Sequence, residues 1–174
     1  MPSPAKPRLR GWYLGIDPGA NGGAAAICED TCSYAVTTGR ADLAGFLRSF
    51  TLDPRHFGKF AVVELNYSSP QMGVTSAFTF GRNCEMPSAM LSALGIPYEE
   101  IRPQVWIRYL NIPSRKKDRS GKGGETTAEW KNRLRAKAHQ LFPRLDLWQE
   151  TKRIQYAVCD ALLIAEYCRR VHAT

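Results

Sequence analysis

No run of apolar residues in this sequence approaches the ~20 that a membrane-spanning helix requires. That excludes a helical span, and no membrane partner is expected. The opening stretch MPSPAKPRLR is proline-rich and basic but lacks the apolar centre of a secretory signal, and residues 1–10 read as a short disordered arm. The five cysteines (Cys28, Cys32, Cys84, Cys159 and Cys168) form no CxxC pair and no Cys/His cluster of zinc spacing. An odd count without a framework argues for reduced structural thiols in a cytoplasmic setting. Internal repeats are missing too, and the 174-residue length suits one domain spanning 11–174 with its own core.

Acid is the scarcer charge. There are 16 Asp and Glu against 24 Lys and Arg, for a net charge of +8. The surplus is concentrated, because between Arg102 and Arg135 ten Lys or Arg face only Asp118, Glu125 and Glu129. Basic charge gathered in one region is the footprint of a nucleic-acid binder. A solvated segment that only aids solubility is the plain alternative. Residues 113–126, PSRKKDRSGKGGET, are rich in Gly, Ser and charge and predict a mobile loop.

Around that loop the pattern is regular. WYLGID (12–17) is a short apolar run ending at an acid and reads as a buried strand. PGANGG makes a turn, after which AAAIC (24–28) and CSYAVT (32–37) continue an antiparallel meander. ADLAGFLRSF (41–50) has helical spacing, and FAVVEL (60–65) is the clearest buried strand, with Glu64 near its end. Residues 74–94 have helical spacing interrupted by Pro87, which predicts a kink or two helices, with Gly95 at the position after the cap. IPYEEI (96–101) predicts a strand and PQVWIRYL a helix opening with Pro103. Two further helices are expected near 127–141 and 154–171. Strands first in a meander and then alternating with helices imply an α/β fold, a mixed sheet covered by helices.

Two apolar strands therefore end in acids, Asp17 and Glu64, and the last helix carries Asp160 on an apolar face with Ala157, Ala161 and Ile164. An unpaired buried carboxylate is costly. Three that converge at a sheet edge make sense if divalent cations sit between them, and oxygen-only ligands favour Mg²⁺ or Mn²⁺. Two such ions about 4 Å apart can activate water and stabilise the leaving oxygen in phosphodiester hydrolysis. Each acid also has a plainer use: Asp17 to start the DPG turn, Glu64 as a strand-end surface residue, Asp160 as the partner of a buried arginine.

The stretches GIDPGANGGAAAI (15–27), VVEL (62–65) and DALLIAEY (160–167) resemble the RuvC-type Holliday junction resolvases of the RNase H-like superfamily. GVTSAFTFGRN (73–83), ALGIPYEEIRPQVW (93–106) and LFP (141–143) resemble the phage-like branch in particular. The likeness implies an RNase H-like mixed five-stranded sheet flanked by helices. It implies Asp17 as the carboxylate bridging two metal ions, Glu64 as a second-strand ligand, Asp160 as the ligand from the last helix, and Lys131 as a cation near the scissile phosphate. Tyr67 falls where relatives place an aromatic that stacks on junction bases. Arg115, Lys116, Lys117, Arg119 and Lys122 are candidates to clamp phosphates. The segment with Phe78 and Phe80 falls in the helix through which the family forms homodimers.

Two departures stand out. The family's further acid just before the final Asp is replaced by Ala157 or Gln155, depending on the branch, and the histidine of the phage-like motif corresponds to Tyr156. Gln155 can still offer a metal its carbonyl oxygen, and Glu150 is another candidate. The 113–130 segment is also longer and more basic than the family's spacer. The implied function is a dimeric, Mg²⁺-dependent endonuclease (Mn²⁺ as substitute) that resolves four-way DNA junctions by paired phosphodiester hydrolysis. It would work in the cytoplasm of a bacterial or phage-infected cell, or in an organelle nucleoid. A junction-binding protein with weak or lost nuclease activity, and an RNase H-like nuclease on hybrids or other branched DNA, are the alternatives.

Overall fold

The computed structural model describes residues 11–20, 22–28, 31–36, 40–52, 58–116, 124–145 and 152–173, with backbone only for 31–36, 40–41, 58 and 152–155. In chain order the elements are β1 (Gly11–Asp17), β2 (Gly23–Cys28), β3 (Thr31–Val36), α1 (Arg40–Thr51), β4 (Gly58–Glu64), α2 (Val74–Ala93), β5 (Tyr98–Ile101), α3 (Pro103–Tyr109), α4 (Thr127–Leu141) and α5 (Lys152–His172). The sheet runs in the order β3-β2-β1-β4-β5. The first three strands form the expected antiparallel meander, whereas β4 lies parallel to β1 and β5 parallel to β4.

Strand alternation sorts the core into two layers. Trp12, Leu14 and Ile16 of β1 and Ala61 and Val63 of β4 join Leu43, Leu47 and Phe50 of α1 and Leu91 of α2 on one face. Tyr13 of β1 and Phe60 and Val62 of β4 join α3, α4 and α5 on the other. Asp17 and Glu64 follow the second set in parity, so both strands deliver their terminal acid to the face that α5 covers. The register pairs Ile16 with Val63, and Asp17 and Glu64 are the next residue on each strand.

Helix α5 sits unusually low on the sheet. A Cβ added at Gly15 would collide with the backbone of Ala161, Ile164 and Ala165, and one at Gly23 would lie 2.6 Å from the carbonyl oxygen of Ala157. The two glycines let the helix backbone touch the strands, which brings Asp160 down to the level of the strand-end acids.

The helix ends follow from local chemistry. Thr126 caps α4 in a reciprocal box: its hydroxyl accepts from the Glu129 N–H at 3.2 Å, and the Glu129 carboxylate accepts from the Thr126 N–H at 2.7 Å. Gly95 takes a left-handed φ of 64° after α2, where Gly95 N–H donates to Ser92 and Ile96 N–H to Leu91, the Schellman closure. Asn111 does the same after α3 at φ 54°. Of the kink or two helices expected over 74–94, the two helices do not occur: α2 runs as one helix through Pro87. The proline removes one ladder bond, but its ring is buried with Ser88 and Leu91, and Ser88 Oγ donates to Glu100 Oε1 at 2.6 Å. Tertiary packing thus outweighs the local defect. No described helix is long and apolar enough to cross a membrane. Cys84, Cys159 and Cys168 are free thiols.

Candidate active site

At the carboxyl ends of β1 and β4 three acids and one lysine meet. Asp17 and Asp160 line a cavity of about 330 Å³ together with Lys131, Tyr156, Ala157 and the turn residues Pro18, Gly19 and Gly22. Lys131, reaching in from α4, forms an ion pair with Asp160 Oδ2. Glu64 stands one strand over. Its Oε2 accepts a 2.8 Å hydrogen bond from the indole N–H of Trp106, a donor-only group that needs an acceptor where it is buried.

These groups lie near enough to shift one another's ionisation. Burial pushes Asp17 well above the usual carboxylate range, and the charges of Asp160 and Glu64 add to the rise, while Lys131 and a hydrogen bond from Asn66 pull the other way. Glu64 is pushed up to about 7, first by burial and then by Asp160, against hydrogen bonds from Trp106 and Asn66. Asp160 is raised by burial despite Lys131. Burial alone would lower Lys131, but Asp160, Asp17 and Glu64 outweigh it and hold the ammonium charged. One lysine is thus the near counter-charge for three carboxylates.

One oxygen in this cluster is unsatisfied. Asp160 Oδ1 is buried and accepts no hydrogen bond among the described residues, a state that costs about 1–3 kcal/mol unless something else fills it. Hard oxygen donors, mutual repulsion and a vacant lone pair fit a divalent cation such as Mg²⁺. Among the described residues no three His, Cys, Asp or Glu side chains are gathered closely enough to form a metal cage, and Lys131 occupies Asp160 Oδ2 in its stead. Ala157, one of the two positions where the resemblance would put a further acid, lines the cavity and offers no side-chain ligand there.

The remaining candidates are placed as follows. Tyr67 is 65% exposed, with the Arg102 guanidinium 5.8 Å from its ring centroid. Arg115 and Lys116 lie at one stem of the basic segment, where Arg115 donates to the Glu125 carbonyl at 3.1 Å and to Thr127 Oγ1 at 3.2 Å. Arg133 grips the Glu125 carboxylate at 2.6 and 2.8 Å, so the two stems of the expected loop are tied together. Lys117, Arg119, Lys122 and Glu150 lie outside the described residues, as does the side chain of Gln155, whose backbone belongs to the first turn of α5.

Sequence reasoning missed Asn66 and Trp106. Asn66 lies two residues past Glu64 in extended chain, hence on the same side, a spacing that could have flagged it. Trp106 reaches Glu64 only because α3 folds back under the sheet edge, which no local pattern announces. The hydroxyl of Tyr156 donates to Asn132 Oδ1 at 3.0 Å and helps seat α5 on α4 beside the cavity.

In sequence, no protein-family model and no curated protein matches the chain. In structure, the chain is similar to RuvC of T. thermophilus. RuvC in complex with Holliday junction substrate gives a TM-score of 0.55 at 15% identity, covering 94% of this chain and 97% of that one. Thermus thermophilus RuvC in a second structure gives 0.53 at 16% identity, covering 91% and 95%. The fold is therefore shared with RuvC along nearly the whole of both chains.

Proposed function

We propose that this chain is a structure-specific endonuclease that resolves four-way DNA junctions by metal-dependent phosphodiester hydrolysis, as a phage-like relative of the RuvC resolvases. The observation that carries this is the junction of Asp17, Glu64, Asp160 and Lys131 in one electrostatically coupled cluster with an unsatisfied carboxylate oxygen, on a fold shared with a junction-bound resolvase. Asp17, Glu64 and Asp160 would hold Mg²⁺, or Mn²⁺ in its place, and a pair of ions needs a fourth ligand from Gln155 or Glu150. When bound, the metal supplies activation of water and stabilisation of the leaving oxygen.

The chain's own residues do the rest. Trp106 and Asn66 fix the Glu64 carboxylate, and Asn66 also steadies Asp17. Lys131 keeps its proton at Nζ and offers that charge to the scissile phosphate. Tyr67, exposed and backed by Arg102, supplies a stacking surface for bases at the branch. A second copy, joined through the exposed face of α2 where Val74 and Phe78 stand 89% and 67% exposed, would match the two-fold symmetry of a junction.

Labelled synthetic four-way junctions test this in Mg²⁺ or Mn²⁺, beside linear duplex and RNA–DNA hybrid. Selective nicking of junctions is expected. Asp17→Asn should lose on the order of a hundredfold or more in rate, the equivalent of several kcal/mol of metal-derived stabilisation, while keeping most of its binding. Full activity in Asp17→Asn would discard the site. Tight junction binding without cutting in either metal would instead favour a binding protein with lost nuclease activity, a reading that an alanine rather than an acid at position 157 of the cavity lining supports.

A further inference from the structure

A second and larger concavity lies on the far side of α3 from the acids. Its volume is about 1020 Å³, and Gln104, Ile107, Arg108, Asn111, Arg115 and Trp130 contribute to its lining. The first four stand at i, i+3, i+4 and i+7, so one face of α3 and its cap form a wall. Opposite Arg108 in character is Trp130, one residue before Lys131, partly buried against the core. Arg133 covers part of its indole at 4.9 Å.

The lining contains no acid. Among the described residues neither Arg108 nor Arg115 pairs with a carboxylate, and Arg115 spends its hydrogen bonds on a carbonyl and a hydroxyl. The nearby carboxylate of Glu125 is neutralised by Arg133 instead. The groove therefore combines an apolar and aromatic floor, two fixed-sign charges and two side-chain amides, Gln104 and Asn111, each able to donate and accept. Duplex DNA shows a groove of this kind only phosphates, whereas an unpaired strand shows phosphates and base planes together. Arg102, the residue that caps α3, lies over Tyr67 and adjoins Pro103 at the rim of this groove.

We propose that the groove binds an unpaired DNA segment, with a base against Trp130 and Ile107, phosphates on Arg108 and Arg115, and base edges on Gln104 and Asn111. This rests on the chain acting on DNA but not on its cutting DNA. Trp130→Phe preserves the packing and Arg108→Ala removes an exposed side chain, so both variants should fold.

The probe is oligodeoxythymidylate carrying 5-iodouracil, used with the full chain in EDTA. Ultraviolet crosslinking followed by peptide mass spectrometry is expected to mark Trp130, and Trp130→Phe should lose that mark. Arg108→Ala should weaken single-strand binding about three- to tenfold by anisotropy and lower the salt slope by roughly 0.7, as loss of one phosphate contact requires. A crosslink confined to Tyr67, or unchanged affinity in Arg108→Ala, would overturn the proposal. So would competition by polyglutamate equal to that of the oligonucleotide, which would mark a plain cationic patch. A chain that crosslinks at Trp130 yet cuts no junction would uphold the groove and sink the nuclease proposal instead.

Discussion

The two halves of α5 each bury an acid, and they treat it in opposite ways. Asp160 and Glu166 are both 4% exposed. Glu166 accepts from Arg169 at 2.8 Å on each oxygen and from Arg170 at 2.6 Å. Burial alone would raise it, but the two guanidinium groups more than offset that and hold it below the usual carboxylate range. Asp160 has one ammonium on one oxygen and nothing on the other, and it is raised. Burial therefore does not distinguish a structural acid from a candidate site acid; the completeness of its partners does. A satisfied carboxylate holds a helix end in place, whereas an unfinished one is where something else can bind.

Neutralising each acid separates the two roles most sharply. Asp160→Asn should cut junction nicking by on the order of a hundredfold or more, yet change stability by less than about 1 kcal/mol, because the lost Lys131 pair is offset by relief of repulsion from Asp17 and Glu64. Glu166→Gln should keep nicking activity well below its melting temperature but lose about 1–3 kcal/mol in urea unfolding, less than a fully buried pair because both arginines remain partly exposed. Equal loss of activity in both variants would erase the distinction between the two acids.

Acidity sharpens the same contrast. The acids raised in the folded state, with Glu64 at about 7, keep protons there that the unfolded chain releases. Their contribution is fully present below the ordinary carboxylate range and is lost as pH rises through the folded values. Glu166, lowered in the folded state, contributes above its ordinary value and loses that as pH falls. In EDTA the melting temperature should thus decline between pH ~5 and ~8, with a stability loss on the order of 2–3 kcal/mol. Mg²⁺ should restore more at the upper end than at the lower. A melting temperature that climbs steadily over that interval in EDTA would mean that the three acids do not share their charge.

Much of this was legible in the sequence, for reasons that can be named. Asp17 and Glu64 stood out because each closes a short apolar run, and period-two alternation then fixes which face they serve. Asp160 stood out by interrupting an apolar helix face. Glu166 passed unnoticed, though Arg169 and Arg170 follow it at i+3 and i+4, because nothing in the spacing said that this side was buried. Trp106 and the closeness of Gly15 to Ala161 depend on how α3 and α5 dock, which is tertiary. The two-helix alternative at Pro87 failed for the same reason: the local penalty was visible, and the packing that keeps α2 continuous was not.

The smallest change that gives Asp160 the kind of partner Glu166 has is Lys131→Arg. A guanidinium is planar and presents two parallel donors, so it can meet both oxygens of Asp160 as Arg169 meets those of Glu166. Lysine is a point charge and serves only one. The adjoining cavity of about 330 Å³ leaves room for the bulkier head. Oδ1 would gain its missing donor, so the metal-free protein should become more stable by about 1 kcal/mol. The thermal shift on adding Mg²⁺ should shrink, because the ion would then have to displace a two-point partner rather than a one-point partner. Stabilisation in EDTA with an undiminished Mg²⁺ shift would place the cation away from Asp160, and no stabilisation at all would show that Oδ1 is not the unfilled position.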